Sequence, residues 1–339
     1  MHFTRLGLIT ATLGLGGLAM ASPYHLRGLN EAANARGKEW FGTALTVRKD
    51  KVESSLLADT TQFGSITPEN ALKWDLTEPT QGHFEWEAAD AVLDVAVAHG
   101  QEVHCTNLVW HKRLPCWLLE GKWDNATLID VMTHHIKTVA GKYQALDDDG
   151  NLRDSIWYKT IGEAFIPIAF RAAAEADPET KLYYNDFDLE YNSNKTAAAR
   201  RLVQLIQSYG VRIDGVGFQA HLSSEVTPTS PRTVPSKDVL IQSLESMTDL
   251  GVEVAYTEID IRMSLPATEA KLQVQAEKWA NVVGSCMDVD RCVGMTVWGF
   301  SDRYNWVPDF YPGEGAASLW DNQFHKKPAY SAAMDAIKS

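Results

Sequence analysis

Short apolar runs alternate with amphipathic helical segments along almost the whole chain, and this alternation limits the fold more than any other feature of the sequence. Runs this short, bounded by Gly, Asp or Asn, are typical of strands buried in a parallel sheet. We predict strands at Trp40–Thr43, Gly64–Thr67, Gln101–Val109, Lys181–Asp186, Gly215–His221, Glu253–Glu258 and Gly294–Gly299.

The segments between these runs have helical spacing. From Leu202 to Tyr209, apolar residues recur at i, i+3, i+4 and i+7, and Gly210 follows at a position that suits the end of a helix. Comparable runs end before Gly100 and Gly251. Strand–helix units repeated over about 300 residues predict either a (β/α)8 barrel or a doubly wound sheet.

The ends of the predicted strands distinguish these two folds. The sequence has neither a G-x-G-x-x-G turn after a first strand nor a Walker A run, so the nucleotide signatures of doubly wound sheets are missing. Polar or aromatic residues instead end most strands: Glu69-Asn70, Trp110-His111, Asn185-Asp186, Gln219, His221, Glu258 and Trp298. Since a barrel brings its carboxyl strand ends to one face, where active sites lie, we predict a (β/α)8 barrel.

The first 21 residues have the pattern of a secretory signal peptide. His2 and Arg5 accompany an apolar stretch from residue 6 to residue 18, and Ala19-Met20-Ala21 has the small-x-small spacing of a cleavage site. A membrane anchor is the alternative, but the apolar stretch is short and no stop-transfer pattern follows. We therefore predict a secreted protein with a signal peptide at 1–21 and a single barrel domain at 22–339.

The net charge of −13 limits the partners of the chain. Nucleic acid requires a basic surface, and an acidic polymer would be repelled, so a neutral substrate suits this charge best. No Cys or His cluster has the spacing of a zinc site, and we expect no metal or organic cofactor. We also expect a monomer that binds neither membranes nor nucleic acid.

Four cysteines remain for an oxidising compartment. Cys286 and Cys292 lie six residues apart across a turn-like run, which is short enough to close a local disulfide. Cys105 and Cys116 could also pair, and the sequence leaves that pairing open.

Glu258 is the strongest candidate for a catalytic carboxylate. It ends an apolar strand, where a carboxylate is costly unless it has a partner. His221, at the end of the preceding strand, could orient Glu258 and help to keep it ionised. Hydrolysis of a glycosidic bond would need a second carboxyl group, and aromatic rings suit the C–H faces of sugars. Candidates for stacking on sugars, although core packing is the commoner role of any one Trp, are Trp74, Trp110, Trp298 and Trp306.

Several blocks in a fixed order resemble one enzyme family. Ile66-Thr-Pro-Glu-Asn-Ala-Leu-Lys-Trp74, followed by Thr77-Glu-Pro79, is similar to the glycone-binding block of the glycoside hydrolase family 10 xylanases. Similar blocks follow at Leu108-Val-Trp-His111, Gly217-Phe-Gln-Ala-His221, Val254-Ala-Tyr-Thr-Glu-Ile-Asp260 and Cys292-Val-Gly-Met-Thr-Val-Trp-Gly299. The resemblance runs from about residue 29 to residue 336, and the ordered set is more specific than any single block.

The resemblance implies a role for each matching residue. Glu258 matches the nucleophile of these retaining enzymes, and Cys286 and Cys292 match a family disulfide. The implied substrate is xylan or another β-1,4-xylose polysaccharide. Positions that match substrate-binding residues are Glu69, Asn70, Lys73, Trp110, His111, Gln219, His221, Trp298 and Trp306.

One block of the family is missing from this chain. The general acid/base glutamate of the family ends the fourth strand, but here Lys142-Tyr-Gln144 runs directly into Ala145-Leu-Asp-Asp-Asp149, with matching flanks on both sides. The resemblance therefore implies a barrel that is incomplete or distorted at strand four and that lacks its acid/base residue. An omitted coding segment or a splice variant explains so clean a deletion better than gradual loss.

Smaller departures lie elsewhere in the chain. Gly162-Glu-Ala-Phe165 is similar to the end of strand four, but the apolar spacing around it is helical, so we interpret Glu163 as a carboxylate on a helix surface. Thr106 stands where the family usually has a sugar-binding His, and Phe187 and Asp188 replace a usual Tyr-Asn pair.

Three hypotheses follow. The first is a retaining endo-1,4-β-xylanase in which Glu258 attacks the anomeric carbon. The second is a catalytically impaired xylan-binding barrel, because the acid/base glutamate is absent. The third is a hydrolase for another β-linked glycan, which the close match of Glu69, Asn70 and Lys73 disfavours.

Overall fold

The computed structural model describes residues 27–105, 107–139 and 145–339. Within these ranges, no helix is long and apolar enough to span a membrane. The predicted signal peptide, Thr106 and Gln144 lie outside the described residues. The strands are β1 (Trp40–Leu45), β2 (Ser65–Pro68), β3 (Glu102–Val103), β4 (Tyr183–Asp186), β5 (Gly215–Phe218), β6 (His221–Ser223), β7 (Glu253–Ser264), β8 (Cys292–Val297) and β9 (Glu314–Gly315).

Helices surround the strands, and several of them begin or end at a capping residue. The side-chain oxygens of Ser155, Ser236 and Thr268 each accept a hydrogen bond from the backbone N–H three residues later and so begin three helices. Gly100 ends another helix in the left-handed conformation, with φ of 68°. The helices are α1 (Leu29–Ala35), α2 (Lys51–Leu57), α3 (Trp74–Thr77), α4 (Glu87–His99), α5 (Cys116–Glu120), α6 (Asn125–Val139), α7 (Ile156–Ile161), α8 (Phe165–Ala176), α9 (Asn194–Ser208), α10 (Lys237–Thr248), α11 (Glu269–Asp288), α12 (Val307–Phe310) and α13 (Pro328–Lys338).

The strands form one curved, mainly parallel sheet in the order β3-β2-β1-β8-β7-β5-β4. Because β1 pairs with both β2 and β8, the first strand and the last parallel strand of the chain are neighbours, as closure of a barrel requires. β6 extends the sheet beside the second half of β7, and β9 pairs antiparallel with the end of β7. The predicted (β/α)8 architecture is confirmed, in an incomplete form.

Among the described residues, no strand lies between β3 and β4, where a fourth barrel strand would lie. β3 pairs with β2 and β4 pairs with β5, and neither has a second partner strand among the described residues. The Ala145–Leu146 segment lies at the mouth end of this gap, where the Leu146 N–H donates to Asp186 Oδ2 at 3.3 Å. We call the gap between β3 and β4 the open seam.

A buried ion pair borders the open seam on its β4 side. Lys195 Nζ lies 3.1 Å from Asp186 Oδ1, and the exposed fractions of the two side chains are 1% and 0%. The same ammonium group lies 3.4 Å from the centre of the Phe187 ring. The Tyr184 hydroxyl donates to the other Asp186 oxygen. Charged groups buried to this extent need such partners, because an isolated charge would be very costly there.

Three strands differ from the sequence prediction. The strand expected at Gln101–Val109 is only Glu102–Val103, since β2 is its one partner strand in the described structure. The strand expected at Gly215–His221 is divided into β5 and β6 by Ala220, which has φ of 58°. β7 continues past Glu258 because β6 and β9 pair with its second half.

The cysteines form one disulfide in the described residues. Cys286, in α11, is bonded to Cys292 at the start of β8, with 5.2 Å between their Cα atoms, so that predicted disulfide is confirmed. Cys105 and Cys116 are not bonded to each other, and Cys116 is exposed. Glu163 is exposed in the turn between α7 and α8 rather than on a helix surface.

Candidate active site

Glu258 lies in the middle of β7, with its carboxylate at the mouth of the barrel and only 7% of the residue exposed. Asn185 Nδ2 donates to Glu258 Oε1 at 2.8 Å, and His221 Nε2 lies 3.1 Å from Glu258 Oε2. Hydrogen bonds from an amide and an imidazole offset the cost of burying the carboxylate. They also fix its orientation.

The imidazole of His221 bridges two carboxylates. Its Nδ1 lies 2.9 Å from Asp260 Oδ2, and Trp306 Nε1 donates to the same oxygen at 2.7 Å. Burial would lower the pKa of His221, but Asp260 and Glu258 outweigh that effect and raise the pKa to about 10. At neutral pH the ring is therefore a cation that donates to both carboxylates.

Asn185 and Asp260 belong to this network but were not among the predicted site residues. Asn185 is the last residue but one of β4, and its Oδ1 accepts from the Thr257 hydroxyl, which turns the amide NH2 toward Glu258. Asp260 follows Glu258 by two positions and so lies on the same face of β7. The period-two spacing of the two carboxylates was a signal in the sequence that could have identified Asp260.

Lys73 connects the block after β2 to the nucleophile candidate. Lys73 Nζ donates to Asn70 Oδ1 at 2.7 Å and lies 5.3 Å from the centre of the Trp110 ring. Burial lowers the pKa of Lys73, and the negative charge of Glu258 opposes that shift. Asn70, Lys73 and Trp110 are therefore assembled near Glu258.

Glu69 lies further out at the same edge of the mouth. Its Oε2 accepts from the Thr46 hydroxyl at 2.6 Å, and Arg48 Nη2 lies 3.6 Å away. Glu69, Trp298 and Tyr304 line one small cavity. A carboxylate beside an indole ring could recognise a sugar by hydroxyl contacts and stacking.

Two of the four candidate tryptophans adjoin His221. The ring centres of Trp306 and Trp298 lie 5.1 Å and 6.2 Å from that of His221. Trp74 instead is 2% exposed and stacks on His135, with 3.7 Å between ring centres, so it is a core residue that cannot act as a platform for sugar. Trp74 begins a helix, which turns its ring inward.

His111 and Gln219 lie near the open seam. Burial, reinforced by the positive charges of Arg153, Lys112 and Lys195, lowers the pKa of His111 to about 4, so this ring is neutral at neutral pH. The Gln219 side chain is buried, and its backbone N–H donates to Asp186 O at 2.9 Å. A neutral imidazole can bind hydroxyl groups, but it is a poor proton donor at such a pH.

The arrangement provides one oriented carboxylate, a buried cation beside it and aromatic surfaces around it. Among the described residues, no group of three or more His, Cys, Asp or Glu side chains could hold a metal ion. A buried, oriented carboxylate at the mouth of a (β/α)8 barrel is suited to attack on a sugar. These features define the class as glycoside hydrolases.

The chain belongs to glycosyl hydrolase family 10, which it matches over residues 28–336. It is 54% identical over 323 residues to endo-1,4-beta-xylanase 1 of Gibberella zeae, covering 92% of this chain and 91% of that protein. It is 51% identical to endo-1,4-beta-xylanase 2 of Aureobasidium pullulans, covering 100% of this chain and 99% of that protein. That alignment spans 360 positions, more than the 339 residues present here, so part of that relative has no counterpart in this chain.

Solved structures agree with this family. The endo-1,4-beta-xylanase of Penicillium canescens superposes with a TM-score of 0.87 at 35% identity, covering 92% of this chain and 98% of that one. A family 10 xylanase of Bispora sp. MEY-1, solved with xylobiose, gives a TM-score of 0.86 at 34% identity, covering 91% and 100%. The chain is a glycoside hydrolase with a (β/α)8 fold.

Proposed function

We propose that this chain is an endo-1,4-β-xylanase that hydrolyses internal bonds of xylan with retention of configuration, with Glu258 as the nucleophile. Family membership and fungal relatives named endo-1,4-beta-xylanase support the activity and the substrate. The observation that carries the assignment of Glu258 is its buried carboxylate at the barrel mouth, held by Asn185 and His221.

The first chemical step follows from this geometry. One oxygen of Glu258 forms a bond to the anomeric carbon while the bond from that carbon to the leaving oxygen breaks, and the electron pair leaves with that oxygen. The cationic ring of His221 and the amide of Asn185 keep the attacking carboxylate ionised and aligned. Water then releases the sugar from Glu258 with net retention.

Proton transfer is the weak part of the mechanism in this chain. The sequence has no counterpart of the acid/base block, and the described strands leave the open seam at its place. A general acid typically contributes ~10²–10⁴-fold to the rate. We therefore expect cleavage to depend steeply on how well the leaving group accepts the electron pair without protonation.

The alternative hypothesis was a xylan-binding barrel with impaired catalysis. The relatives that match nearly the whole chain are named as enzymes, so the comparisons do not favour a binding protein. The third hypothesis, a hydrolase for another β-linked glycan, is disfavoured because these relatives are named endo-1,4-beta-xylanases.

The test measures kcat/KM on aryl β-xylobiosides whose phenols span a range of acidities. We expect ready cleavage of the most acidic phenol and a steep decrease as phenol acidity falls, because the leaving group departs unprotonated. Azide, which attacks without a general base, should accelerate release from Glu258 and give a β-xylosyl azide.

Matched variants complete this experiment. In Glu258→Gly, azide should replace the missing nucleophile and give the α-xylosyl azide, the opposite configuration. A flat dependence on phenol acidity, with xylan cleaved as fast as the most activated substrate, would show that another group supplies the proton. No cleavage of any aryl xylobioside by the folded protein would refute the assignment of Glu258.

The proposal also covers secretion, domain boundaries and oligomeric state. We propose cleavage of the signal peptide after Ala21, one barrel domain from residue 22 to residue 339, and a secreted monomer. N-terminal sequencing of protein recovered from the culture medium should begin at Ser22. Size-exclusion chromatography with light scattering should give the mass of a single chain.

A further inference from the structure

Glu190 is a buried carboxylate that the proposed reaction does not use. It lies in a 3-10 turn after β4, and none of its surface is exposed. Its Oε2 has no hydrogen-bond partner among the described residues. Burial, reinforced by the nearby charge of Asp188, raises the pKa of Glu190 to about 7. A group this costly to bury is expected where it performs a task that an apolar side chain cannot perform.

The other oxygen of Glu190 holds an unusual backbone position. The Ala220 N–H donates to Glu190 Oε1 at 2.7 Å. Ala220 has φ of 58°, a left-handed conformation that alanine rarely adopts because its Cβ crowds the backbone. The Ala220 carbonyl in turn accepts from the Asp260 N–H at 3.2 Å. Hydrogen bonds on both sides therefore keep this residue in its strained conformation.

The strand pairing changes register at this strained residue, and β7 makes a similar shift against β8 between Tyr256 and Ile259. In β5, Phe218 pairs with Tyr256, whereas in β6, His221 pairs with Asp260. Two residues on one side thus lie opposite three on β7, which is a register shift of one residue. Because strand side chains alternate, a shift of one residue decides which face each side chain occupies.

That register places His221 between Glu258 and Asp260. Without the shift at Ala220, His221 would pair with Ile259 rather than with Asp260, and its ring would lose its place between the two carboxylates. We propose that Glu190 is a positioning residue that holds the left-handed turn at Ala220 and thereby sets the register that aligns His221 with Glu258. This inference rests on the proposed role of Glu258.

Two substitutions of Glu190 separate positioning from simple core filling. Glu190→Gln keeps an oxygen that can accept the Ala220 N–H, whereas Glu190→Met fills similar space without an acceptor. Ser243→Ala is the matched control, because the Ser243 hydroxyl donates to the backbone oxygen of Glu190 at 3.1 Å and leaves the carboxylate unaffected. All variants are made in the full chain and compared by thermal unfolding.

The first readout needs no substrate. The imidazole of His221, assigned with His221→Asn, is titrated by NMR between pH 5 and pH 11. Wild type, Glu190→Gln and Ser243→Ala should titrate alike, and Glu190→Met should titrate at least one pH unit lower, because its ring is no longer aligned with both carboxylates. Equal titration in all four proteins would overturn the proposal.

The second readout is the rate at which Glu258 becomes glycosylated by an aryl xylobioside with an acidic phenol. We expect Glu190→Met to lose at least tenfold in the pre-steady-state rate of phenol release, with little change in the substrate concentration that half-saturates it, and Glu190→Gln to lose less than threefold. Ala220→Gly removes the conformational strain, so adding Glu190→Met to it should cost less than adding Glu190→Met to wild type. An equal cost in both backgrounds contradicts the proposal.

These readouts distinguish the two hypotheses. An inactive wild type whose His221 still responds to Glu190→Met contradicts the proposed function and supports the positioning role. If the wild type is active but Glu190→Met changes neither its rate nor its His221 titration, the proposed function is supported and the positioning role is contradicted. If Glu190→Met fails to fold, Glu190→Leu supplies the same comparison, and a His221 titration equal to that of wild type again overturns the proposal.

Discussion

The closed side of the barrel, around β7 and β8, differs from the open seam in how many partner strands its strands have among the described residues. On the closed side, Glu258, His221, Asp260 and Trp306 form one continuous set of hydrogen bonds. At the open seam, β3 has two residues and β4 has one partner strand among the described residues. The difference suggests that the attacking half of a two-carboxylate site can be built without the half that supplies the proton. Asn185, on β4, ties Glu258 to the edge of the open seam.

The largest effect should come from removing the proposed nucleophile on the closed side. Glu258→Gln keeps the shape of the side chain but cannot attack, so we expect a loss on the order of 10⁴-fold or more on an activated aryl xylobioside. Thermal unfolding of the variant checks that the fold is kept, since the cation of His221 keeps Asp260 as its partner. A residual rate within tenfold of wild type would show that a different residue attacks.

Matched lysines test how much the two regions contribute to stability. Lys195→Met removes the cation that pairs with Asp186 beside the open seam, and Lys327→Met removes the cation that pairs with Asp302 at 2.9 Å after β8. Each leaves a buried carboxylate without its cation, which costs about 3 kcal/mol.

Lys327 Nζ also donates to Ala316 O at 2.6 Å. We therefore expect Lys327→Met to lower the free energy of unfolding more than Lys195→Met does. Chemical denaturation at pH 7 measures both values. A larger loss for Lys195→Met would mean that the open seam, and not the closed side, limits the stability of the barrel.

The pH dependence of stability should report the charge of His221. Its pKa is raised to about 10 in the folded protein, so the fold binds the proton more tightly than the unfolded chain does. The protonated ring therefore contributes its full stabilisation below about pH 6.5. This contribution is lost as the pH rises to 10, which lowers the free energy of unfolding by an amount on the order of a few kcal/mol. His221→Asn should lack that decrease. Urea unfolding of both proteins at pH 6, 8 and 10 measures this decrease. If the free energies of unfolding of the two proteins change in parallel with pH, this ion network is not the source of the decrease.

The smallest effect is expected at Glu163, the exposed carboxylate between α7 and α8. Glu163→Gln should change kcat/KM on xylan by less than about twofold, since surface substitutions rarely alter free energies by more than about 0.5 kcal/mol. A tenfold loss on xylan, with no loss on the activated aryl xylobioside, would instead identify Glu163 as a source of the proton.

The sequence predicted the architecture and the place of Glu258 at the barrel mouth because both follow from simple periodicity. Strand length and helical spacing located most elements, and the position of Glu258 at a strand end implied the barrel mouth. The gap at strand four was also predicted, since matching flanks on both sides of Gln144 and Ala145 left no room for another strand. These are local properties, which a single sequence records.

Other parts of the site depend on long-range pairing and could not be predicted. The role of Asn185 depends on a hydrogen bond between β4 and β7, 73 residues apart. Ala220 adopts the left-handed conformation although it is neither Gly nor Asn, the residues that usually mark such a position in a sequence. Trp74 lies in a block that resembles a sugar-binding motif, yet the helix that it begins turns its ring into the core. Tertiary packing decides each of these cases.

β7 has a consequence for the order in which the protein loses its structure. This one strand of 12 residues pairs with β5, β6, β8 and β9, and its interior is buried. Backbone amides in such an element exchange with solvent only through large-scale unfolding, whereas amides beside an unpaired edge exchange through local opening. Glu258 should therefore lie in the most slowly exchanging part of the chain, and heating should detach the substrate-binding rim near β3 before it disturbs the carboxylate.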